Sequence, residues 1–243
     1  MRERISRVCD IVRRADRVVV MTGAGTSAES GIPTFREAQT GLWAKFRPEE
    51  LATPQAFEAD PQRVWQWYSW RRELVRKAQP NAGHKALAKL AAAVPRFSLV
   101  TQNVDGLHQR AGNTHVLELH GNILRNRCHA SGRIVEGDLP DGEPPPSPFV
   151  KGAFIRPDVV WFGEALPEDA FARAVEVSRD ANAFFSVGTS SQVEPAASLA
   201  RLAASSGAQV IEINPDTTPL SGQADVVLRG SSAQILPQIM AAL

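Results

Sequence analysis

Short apolar runs that end in small or charged polar residues recur along this chain. The first is Val18–Met21, and the others are 97–100, 159–162, 183–187, 210–213 and 226–228. Runs of this length are typical of buried parallel strands. Amphipathic stretches at 84–93, 168–179 and 195–204 predict helices between them. Strands that alternate with helices predict an α/β fold with an open, doubly wound parallel sheet and helices on both faces.

Polar residues collect where these runs end, and they predict one shared binding site. They are Thr101–Asp105, Gly163–Glu164, Gly188–Ser191 and Asn214–Asp216. In open parallel sheets, ligands bind off the carboxyl ends of the strands. We therefore expect these residues to line a single crevice.

The first apolar run leads into a glycine turn, Gly23-Ala24-Gly25-Thr26-Ser27-Ala28. Glycines allow a tight turn and close approach to a ligand, and a helix that starts here would direct its free amides at an anion. The spacing fits the pyrophosphate-binding pattern G-x-G-x-x-G/A. A dehydrogenase would also carry an acidic residue at a strand end about 20 residues later. Glu49 and Glu50 lie in a stretch that does not resemble a strand end, which disfavours hydride transfer.

Two stretches interrupt the alternation and predict a small inserted lobe. Residues 37–78 are rich in tryptophan and arginine and predict helices, whereas residues 122–156 contain the proline run 144–148. A proline-rich segment predicts a loop or flap. Residues 1–36, 79–121 and 157–243 would then form the nucleotide-binding domain.

Composition narrows the class of protein without naming its function. The chain has 243 residues, 43% of them hydrophobic, and a net charge of +1, which does not favour a nucleic-acid partner. Cys9 and Cys128 cannot form a disulfide framework and suit a reducing compartment. No apolar stretch reaches the ~18 residues of a membrane span. The first residues lack an apolar signal core and predict a helix, so a cytoplasmic protein is expected.

Six blocks of sequence resemble the sirtuins, a family of NAD-dependent protein deacylases. The blocks follow one another in the family's order and extend over nearly the whole chain. The blocks are Gly23–Ser27, Ser30–Arg36, Thr101–His108 with His120-Gly121, Val160–Glu164, Gly188–Ser190 and Asn214–Asp216. Thr34, where Asp is commoner in the family, and the segment Tyr68–Arg72 are similar to the desuccinylase and demalonylase branch.

The resemblance implies a Rossmann-like domain that binds NAD and takes acyl groups from lysines of proteins or peptides. Nicotinamide and 2′-O-acyl-ADP-ribose would be released. The implied catalytic residues are His120, Asn103 and Asp105, with His120 as the base that removes a ribose hydroxyl proton. Asp105 and Val104 would hold the nicotinamide carboxamide, and Asn103 and Gln102 the ribose and an ordered water.

The resemblance also implies a cofactor-binding set that follows the strand ends. Phe35 would cover the reacting ribose carbon and Arg36 would pair with the pyrophosphate. The full implied set is Gly23, Ala24, Gly25, Ser27, Glu29, Thr34, Phe35, Arg36, Gln102, Asn103, Val104, Asp105, Gly188, Thr189, Ser190, Asn214, Pro215, Asp216 and Ser232.

A predicted helix carries the residues expected to select the acyl group. Asp60-Pro61 is typical of a helix start, so the helix should run over 62–78 and place Tyr68 and Arg71 on one face. The Arg71 fork and the Tyr68 hydroxyl suit an acyl carboxylate. Val160, Phe162, Gly163 and Glu164 would bind the peptide as an added strand. Without the resemblance, the residues favour another interpretation, in which Tyr68 packs in the core and Arg71, Arg72 and Arg76 form a solvated helix face.

One departure from the family concerns metal. Most sirtuins hold zinc with two C-x-x-C pairs, but Ser131 stands where the partner of Cys128 is expected. Cys9 lies in the first predicted helix, and His129, Asp138 and Asp141 are irregularly spaced. We therefore expect no metal site.

Other functions fit part of this pattern. A plain deacetylase or a mono-ADP-ribosyltransferase would share the site. A non-catalytic module that binds NAD or ADP-ribose would not need His120, Asn103 and Asp105 together. Single histidines are commonly capping or surface residues, and His84, His108, His115 and His129 are interpreted in that way. The sequence leaves the oligomeric state open.

Overall fold

A computed structural model describes residues 1–34, 46–137 and 142–243 of the chain. The strands within these ranges are β1 (Arg17–Thr22), β2 (Arg96–Thr101), β3 (Val116–Glu118), β4 (Gly121–Cys128), β5 (Ile134–Val135), β6 (Ile155–Val159), β7 (Ala183–Val187), β8 (Gln209–Ile213) and β9 (Val226–Leu228). The α-helices are α1 (Arg2–Arg14), α2 (Pro54–Ala59), α3 (Pro61–Lys77), α4 (Ala82–Ala93), α5 (Leu107–Arg110), α6 (Glu168–Asp180), α7 (Ser198–Ser205) and α8 (Ser232–Ala242).

The main sheet has the strand order β3-β2-β1-β7-β8-β9, and every neighbouring pair is parallel. The chain builds from β1 through β2 to β3 on one side, then adds β7, β8 and β9 on the other. The direction of building therefore reverses between β1 and β7, where such sheets open a ligand crevice. The predicted open, doubly wound α/β sheet is confirmed.

Alternate residues of β1 explain why helices cover both faces. Val18 and Val20 pack in one apolar cluster with residues of α1, α4 and α8. Val19 and Met21 pack in another with residues of α6 and α7. A strand buried on both faces must be apolar throughout, which is why Val18–Met21 forms an unbroken apolar run.

A second, three-stranded antiparallel sheet has the order β5-β4-β6. It corrects two predictions. Residues 122–156 are not a loop throughout, because they include most of β4, all of β5 and the start of β6. The expected parallel strand at 159–162 is also wrong: only Val159 is in a strand, where it pairs antiparallel with Gly121 of β4. The prolines at 144–148 do lie outside the strands, and Pro157 is accepted because β6 is an edge strand.

The two inserted segments pack together in a third apolar cluster. It joins α2 and α3 to the second sheet through Phe57, Trp67, Tyr68, Ile123 and Trp161. Helix α3 begins as predicted: the Asp60 carboxylate accepts the Arg63 amide at 3.0 Å, and Pro61 takes the first helical position. None of the helices seen in the described ranges has the length and apolar character that a bilayer crossing needs.

Candidate active site

The carboxyl ends of β2, β1, β7 and β8 bring the glycine turn and three of the four predicted polar segments together at one edge of the main sheet. The fourth segment, Gly163–Glu164, follows β6 of the second sheet instead. Backbone hydrogen bonds continue across these ends, from the Gln102 amide to the Thr22 carbonyl at 3.0 Å and from the Gly23 amide to the Val187 carbonyl at 3.0 Å. Gly188 continues the series by donating to Ile213 at 2.9 Å. The loops after four neighbouring strands are thus held side by side, around the point between β1 and β7 where the order of strand addition reverses.

The glycine turn is positioned by contact with the neighbouring strand end. A Cβ on Gly23 would lie 2.8 Å from the Thr189 Cα, and one on Gly25 would lie 2.8 Å from the Gly188 oxygen. These glycines therefore allow the loops after β1 and β7 to touch. The expected helix start is wrong, because two 3₁₀ turns, Ala24–Thr26 and Ala28–Ser30, follow in its place.

Asp105, Ser27 and Asn103 form a buried hydrogen-bonded group between the loops after β1 and β2. The Ser27 hydroxyl donates to Asp105 Oδ2 at 2.8 Å and accepts from Asn103 Nδ2 at 3.1 Å. The other Asp105 oxygen accepts the Leu107 amide at 2.9 Å. Burial raises the pKa of Asp105, while the Leu107 and Ser27 bonds and the charge of Arg71 oppose that rise. Two of the three predicted catalytic residues therefore share one network with a predicted cofactor residue.

His120, the third predicted catalytic residue, lies two residues beyond β3. Its Nδ1 lies 3.0 Å from the Gln102 carbonyl oxygen. A carbonyl only accepts, so Nδ1 carries the proton in this contact and Nε2 keeps its lone pair. Burial lowers the pKa of His120, and the Gln102 bond partly opposes this. A neutral imidazole with Nε2 available is the form that a general base requires.

Two further histidines, His84 and His108, are buried behind this network, although only His108 lies in a sequence block that resembles the family. His84 Nε2 lies 3.4 Å from the Ser27 hydroxyl, and its Nδ1 accepts the Asn81 amide at the start of α4. His108 Nε2 lies 2.9 Å from Thr22 Oγ1, which donates to Thr101 Oγ1 at 2.8 Å. Burial lowers the pKa of His84 to about 4 and that of His108 to about 3. The predicted capping role holds for His84, but neither residue lies on the surface.

The remaining predicted cofactor residues line the rest of the crevice. Asn214 Nδ2 donates to the Thr189 carbonyl at 2.8 Å, and Asn214 Oδ1 accepts the Asp216 amide at 3.1 Å. Ser190, Pro215 and Asp216 are exposed, as are Ala24 and Glu29 of the first loop, whereas Thr34 is half-buried. Buried Ser232 lies 3.4 Å from the Thr26 carbonyl. Phe35 and Arg36 lie outside the described residues.

Two polar atoms at this edge suit a bound dinucleotide. Within the described part of the chain, buried Gln102 Nε2 and Ser191 Oγ have no hydrogen-bond partner. Ser191 also has a φ of 54°, which is rare for a residue with a side chain. Buried polar groups normally find partners, so each of these two atoms is available to a polar atom of a ligand. Ser191 lies one residue beyond the predicted set, and only its strained backbone marks it.

The residues predicted to select the acyl group lie together on α3. Tyr68 is 2% exposed, and its hydroxyl oxygen accepts the Trp161 indole N–H at 2.9 Å. The Arg71 guanidinium carbon lies 5.7 Å from the centre of the Tyr68 ring and 4.9 Å from that of Trp67. Burial lowers the pKa of Arg71, opposed by the influence of Tyr68 and Asp105. Arg71 therefore interacts electrostatically with Asp105 of the predicted cofactor set.

Arg72 differs from its neighbour and is not part of a solvated face. It is 2% exposed, donates to the Ile123 carbonyl at 2.9 Å and to Asn126 Oδ1 at 2.5 Å, and lies over the Trp65 ring. It therefore ties α3 to β4.

The loop after β6 carries the residues predicted to bind a peptide as an added strand. Phe162 is 52% exposed and Gly163 is also exposed, but the Val160 and Phe162 amides already donate to the His120 and Ala52 carbonyls. The Glu164 carboxylate faces inward to Arg156, at 2.7 and 2.6 Å, and to the Trp161 amide at 2.8 Å. Burial raises the pKa of Glu164, but these bonds outweigh it and leave the pKa below its ordinary value.

Ser131, which stands where most sirtuins have a zinc-binding cysteine, lies beside Cys128 together with Ser147. Burial raises the pKa of the Cys128 thiol, but hydrogen bonds with Ser131 and Ser147 and with nearby backbone bring it to about 7. His129 instead contacts Glu58 at 3.3 Å. In the three described ranges, no group of three or more His, Cys, Asp or Glu side chains could hold a metal ion. Asp138 and Asp141 lie outside those ranges.

Comparisons of the sequence and of the fold with known proteins identify the same family. The Sir2 family profile matches residues 23–195. An NAD-dependent protein deacylase of Aquifex aeolicus is 54% identical over 223 residues, which cover 91% of this chain and 93% of the relative. Among solved structures, a complex of a Sir2 homologue with NAD has a TM-score of 0.91 at 44% identity, covering 97% of this chain and 92% of that one. A complex of Sir2 with a p53 peptide and NAD⁺ has a TM-score of 0.84 at 29% identity, covering 97% and 96%. Matches of this extent, to the fold and to the ordered sequence blocks alike, show that this chain belongs to the Sir2 family.

Proposed function

We propose that this protein is an NAD-dependent protein-lysine deacylase that prefers acidic acyl groups, such as succinyl and malonyl, and also removes acetyl. Its substrates would be acyl-lysine side chains of proteins or peptides. Family membership supports the deacylase activity. The observation that carries the acyl preference is Tyr68 beside Arg71, close enough to the cofactor edge for Asp105 to act on Arg71.

The hydrogen bonds in the crevice support separate roles for Asp105 and Asn103 in binding the cofactor. When bound, NAD supplies a ribose carbon that loses nicotinamide and accepts the acyl oxygen. Asp105 has one oxygen on the Leu107 amide and the other on Ser27, so its orientation is fixed before any ligand arrives. Such preorganisation favours a single geometry for the carboxamide of nicotinamide. Asn103 is held in the same network and can orient a ribose hydroxyl or a water.

His120 supports the proton-transfer step. The Gln102 carbonyl fixes its tautomer, and Nε2 is then free to take a proton from a ribose hydroxyl. Burial favours the neutral imidazole, so the base is in its reactive form at neutral pH.

Arg71 and Tyr68 supply the chemistry for a carboxylate at the far end of the acyl chain. Arginine offers several N–H donors in a planar fork, and a phenol adds one O–H donor. An acetyl group has no charged end, so it would gain nothing from either donor. The pair thus favours succinyl and malonyl over acetyl by differential binding.

A panel of one peptide with acetyl-, malonyl-, succinyl- or glutaryl-lysine tests this proposal. We expect kcat/KM to be higher for the acidic acyl groups, with nicotinamide and 2′-O-acyl-ADP-ribose formed in equal amounts by mass spectrometry. A higher rate on acetyl-lysine would indicate a plain deacetylase. NAD consumption with ADP-ribose on the peptide would indicate a transferase, and binding of NAD without turnover a non-catalytic module.

A further inference from the structure

Trp161 connects the peptide-side loop to the residues proposed to select the acyl group. It is 2% exposed and follows β6 by two residues. Its indole N–H donates to the Tyr68 hydroxyl oxygen at 2.9 Å, and its ring centre lies 5.4 Å from that of Phe57. Its backbone amide donates to Glu164 at 2.8 Å.

An ion pair holds the indole in this position. The Arg156 guanidinium carbon lies 3.4 Å above the centre of the Trp161 ring, and Arg156 is itself 1% exposed. Both Arg156 terminal nitrogens bind Glu164 in a two-pronged contact, and one also donates to the Val159 carbonyl at 2.8 Å. Paired arginine–carboxylate contacts of this kind restrict geometry strongly. The direction of the indole N–H is therefore set by the Arg156–Glu164 pair.

The Tyr68 hydroxyl has one proton to donate and an oxygen that accepts. Trp161 already donates to that oxygen, and Arg71, the next charged group along this face, has only donors. Neither neighbour can receive the Tyr68 proton. In the described part of the chain, the Tyr68 oxygen accepts from the Trp161 indole and from the Arg71 guanidinium, and neither contact uses the hydroxyl proton. The acceptor that fits beside an arginine is an anionic oxygen.

We propose that Trp161 is a positioning residue for acidic acyl groups: its N–H occupies the Tyr68 oxygen and so directs the Tyr68 proton, together with Arg71, to the acyl carboxylate. This inference rests on the proposed acyl preference and adds a residue that touches neither the acyl group nor the cofactor. It also assigns a purpose to the inward Arg156–Glu164 pair, which orients the indole.

The test compares Trp161→Phe with wild type on succinyl- and acetyl-lysine peptides. The measured quantity is the ratio of kcat/KM for succinyl to that for acetyl. Loss of one uncharged hydrogen bond should lower this ratio about three- to tenfold. Trp70→Phe, a partly buried tryptophan of the same apolar cluster, is the matched control and should leave the ratio unchanged.

A double-mutant cycle separates positioning from simple damage to the pocket. In a Tyr68→Phe background, Trp161→Phe should lower the ratio no further, because the hydroxyl through which it acts is gone. Melting temperatures report folding. If Trp161→Phe does not fold, benzothienylalanine at 161 keeps the ring shape without the N–H and gives the same comparison.

The outcomes distinguish this inference from the proposed function. A wild-type ratio of one or less overturns the acyl preference, and the inference with it. A wild-type preference for succinyl that Trp161→Phe leaves intact overturns only the inference. An equal drop with and without the Tyr68 hydroxyl also overturns it, because Trp161 would then act through another contact.

Discussion

Arg71→Met is the substitution that most directly tests acyl selection. Methionine keeps an unbranched apolar stem of similar length, so it can still pack on Trp67, whose ring centre lies 4.9 Å from the guanidinium carbon. Only the charged donors are lost. The change should therefore weaken binding of a carboxylate while it spares the helix that carries it.

The magnitude follows from the environment of the guanidinium. Arg71 is partly buried, and burial lowers its pKa, although arginine stays protonated. A hydrogen bond to a charged group in such a setting typically contributes about 1.5–3 kcal/mol, which corresponds to roughly a ten- to a hundredfold effect on kcat/KM. We expect that loss on succinyl-lysine, with turnover of acetyl-lysine close to wild type or raised.

The assay measures kcat/KM on matched succinyl and acetyl peptides by release of nicotinamide. Arg76→Met, an exposed arginine on the same helix, is the control and should change neither rate. If Arg71→Met loses both activities in parallel, Arg71 is a structural residue and the reasoning is refuted.

Three further predictions follow from the site. His120→Ala or His120→Tyr should reduce deacylation by about 10²–10⁴-fold while NAD binding, followed by calorimetry, survives; activity within a few-fold of wild type would refute the base assignment. Elemental analysis should find far less than one zinc per chain, and a chelator should leave activity and melting temperature unchanged; stoichiometric zinc would contradict this. The pKa values of His84, about 4, and His108, about 3, lie below the unfolded value of 6.5, so the unfolded chain binds more protons as the pH falls. The free energy of unfolding, measured with urea, should have its full value above pH 6.5. At pH 5 it should be lower by about 2 kcal/mol for each histidine. The exposed His115→Gln variant should show the same drop, and equal stability at pH 5 and pH 7 would disprove the buried neutral state.

The sequence by itself determined five of the six strands of the main sheet and the edge at which most of the predicted cofactor residues collect. Strands buried on both faces must be apolar throughout, so runs such as Val18–Met21 and Ala183–Val187 stand out from the helices between them. Parallel strands bring their carboxyl ends to one edge, so the polar residues after them could be assigned to one crevice without knowledge of the strand order. Local signals also predicted the start of α3, because Asp60 caps this helix and Pro61 takes its first position.

Only the tertiary structure decided how residues far apart in sequence share space. Val159–Phe162 has the apolar character of a parallel strand, but it is apolar because Val159 and Trp161 pack against α2 and α3. Glu164 and Arg72 have charged side chains that usually face solvent, yet partners from other elements hold them in ion pairs and hydrogen bonds. The glycines of the first loop are required by contact with Gly188, more than 160 residues away. Hydrophobic periodicity records whether a side chain is buried, but not which side chain it meets, and the partner decides whether a buried polar group is structural or functional.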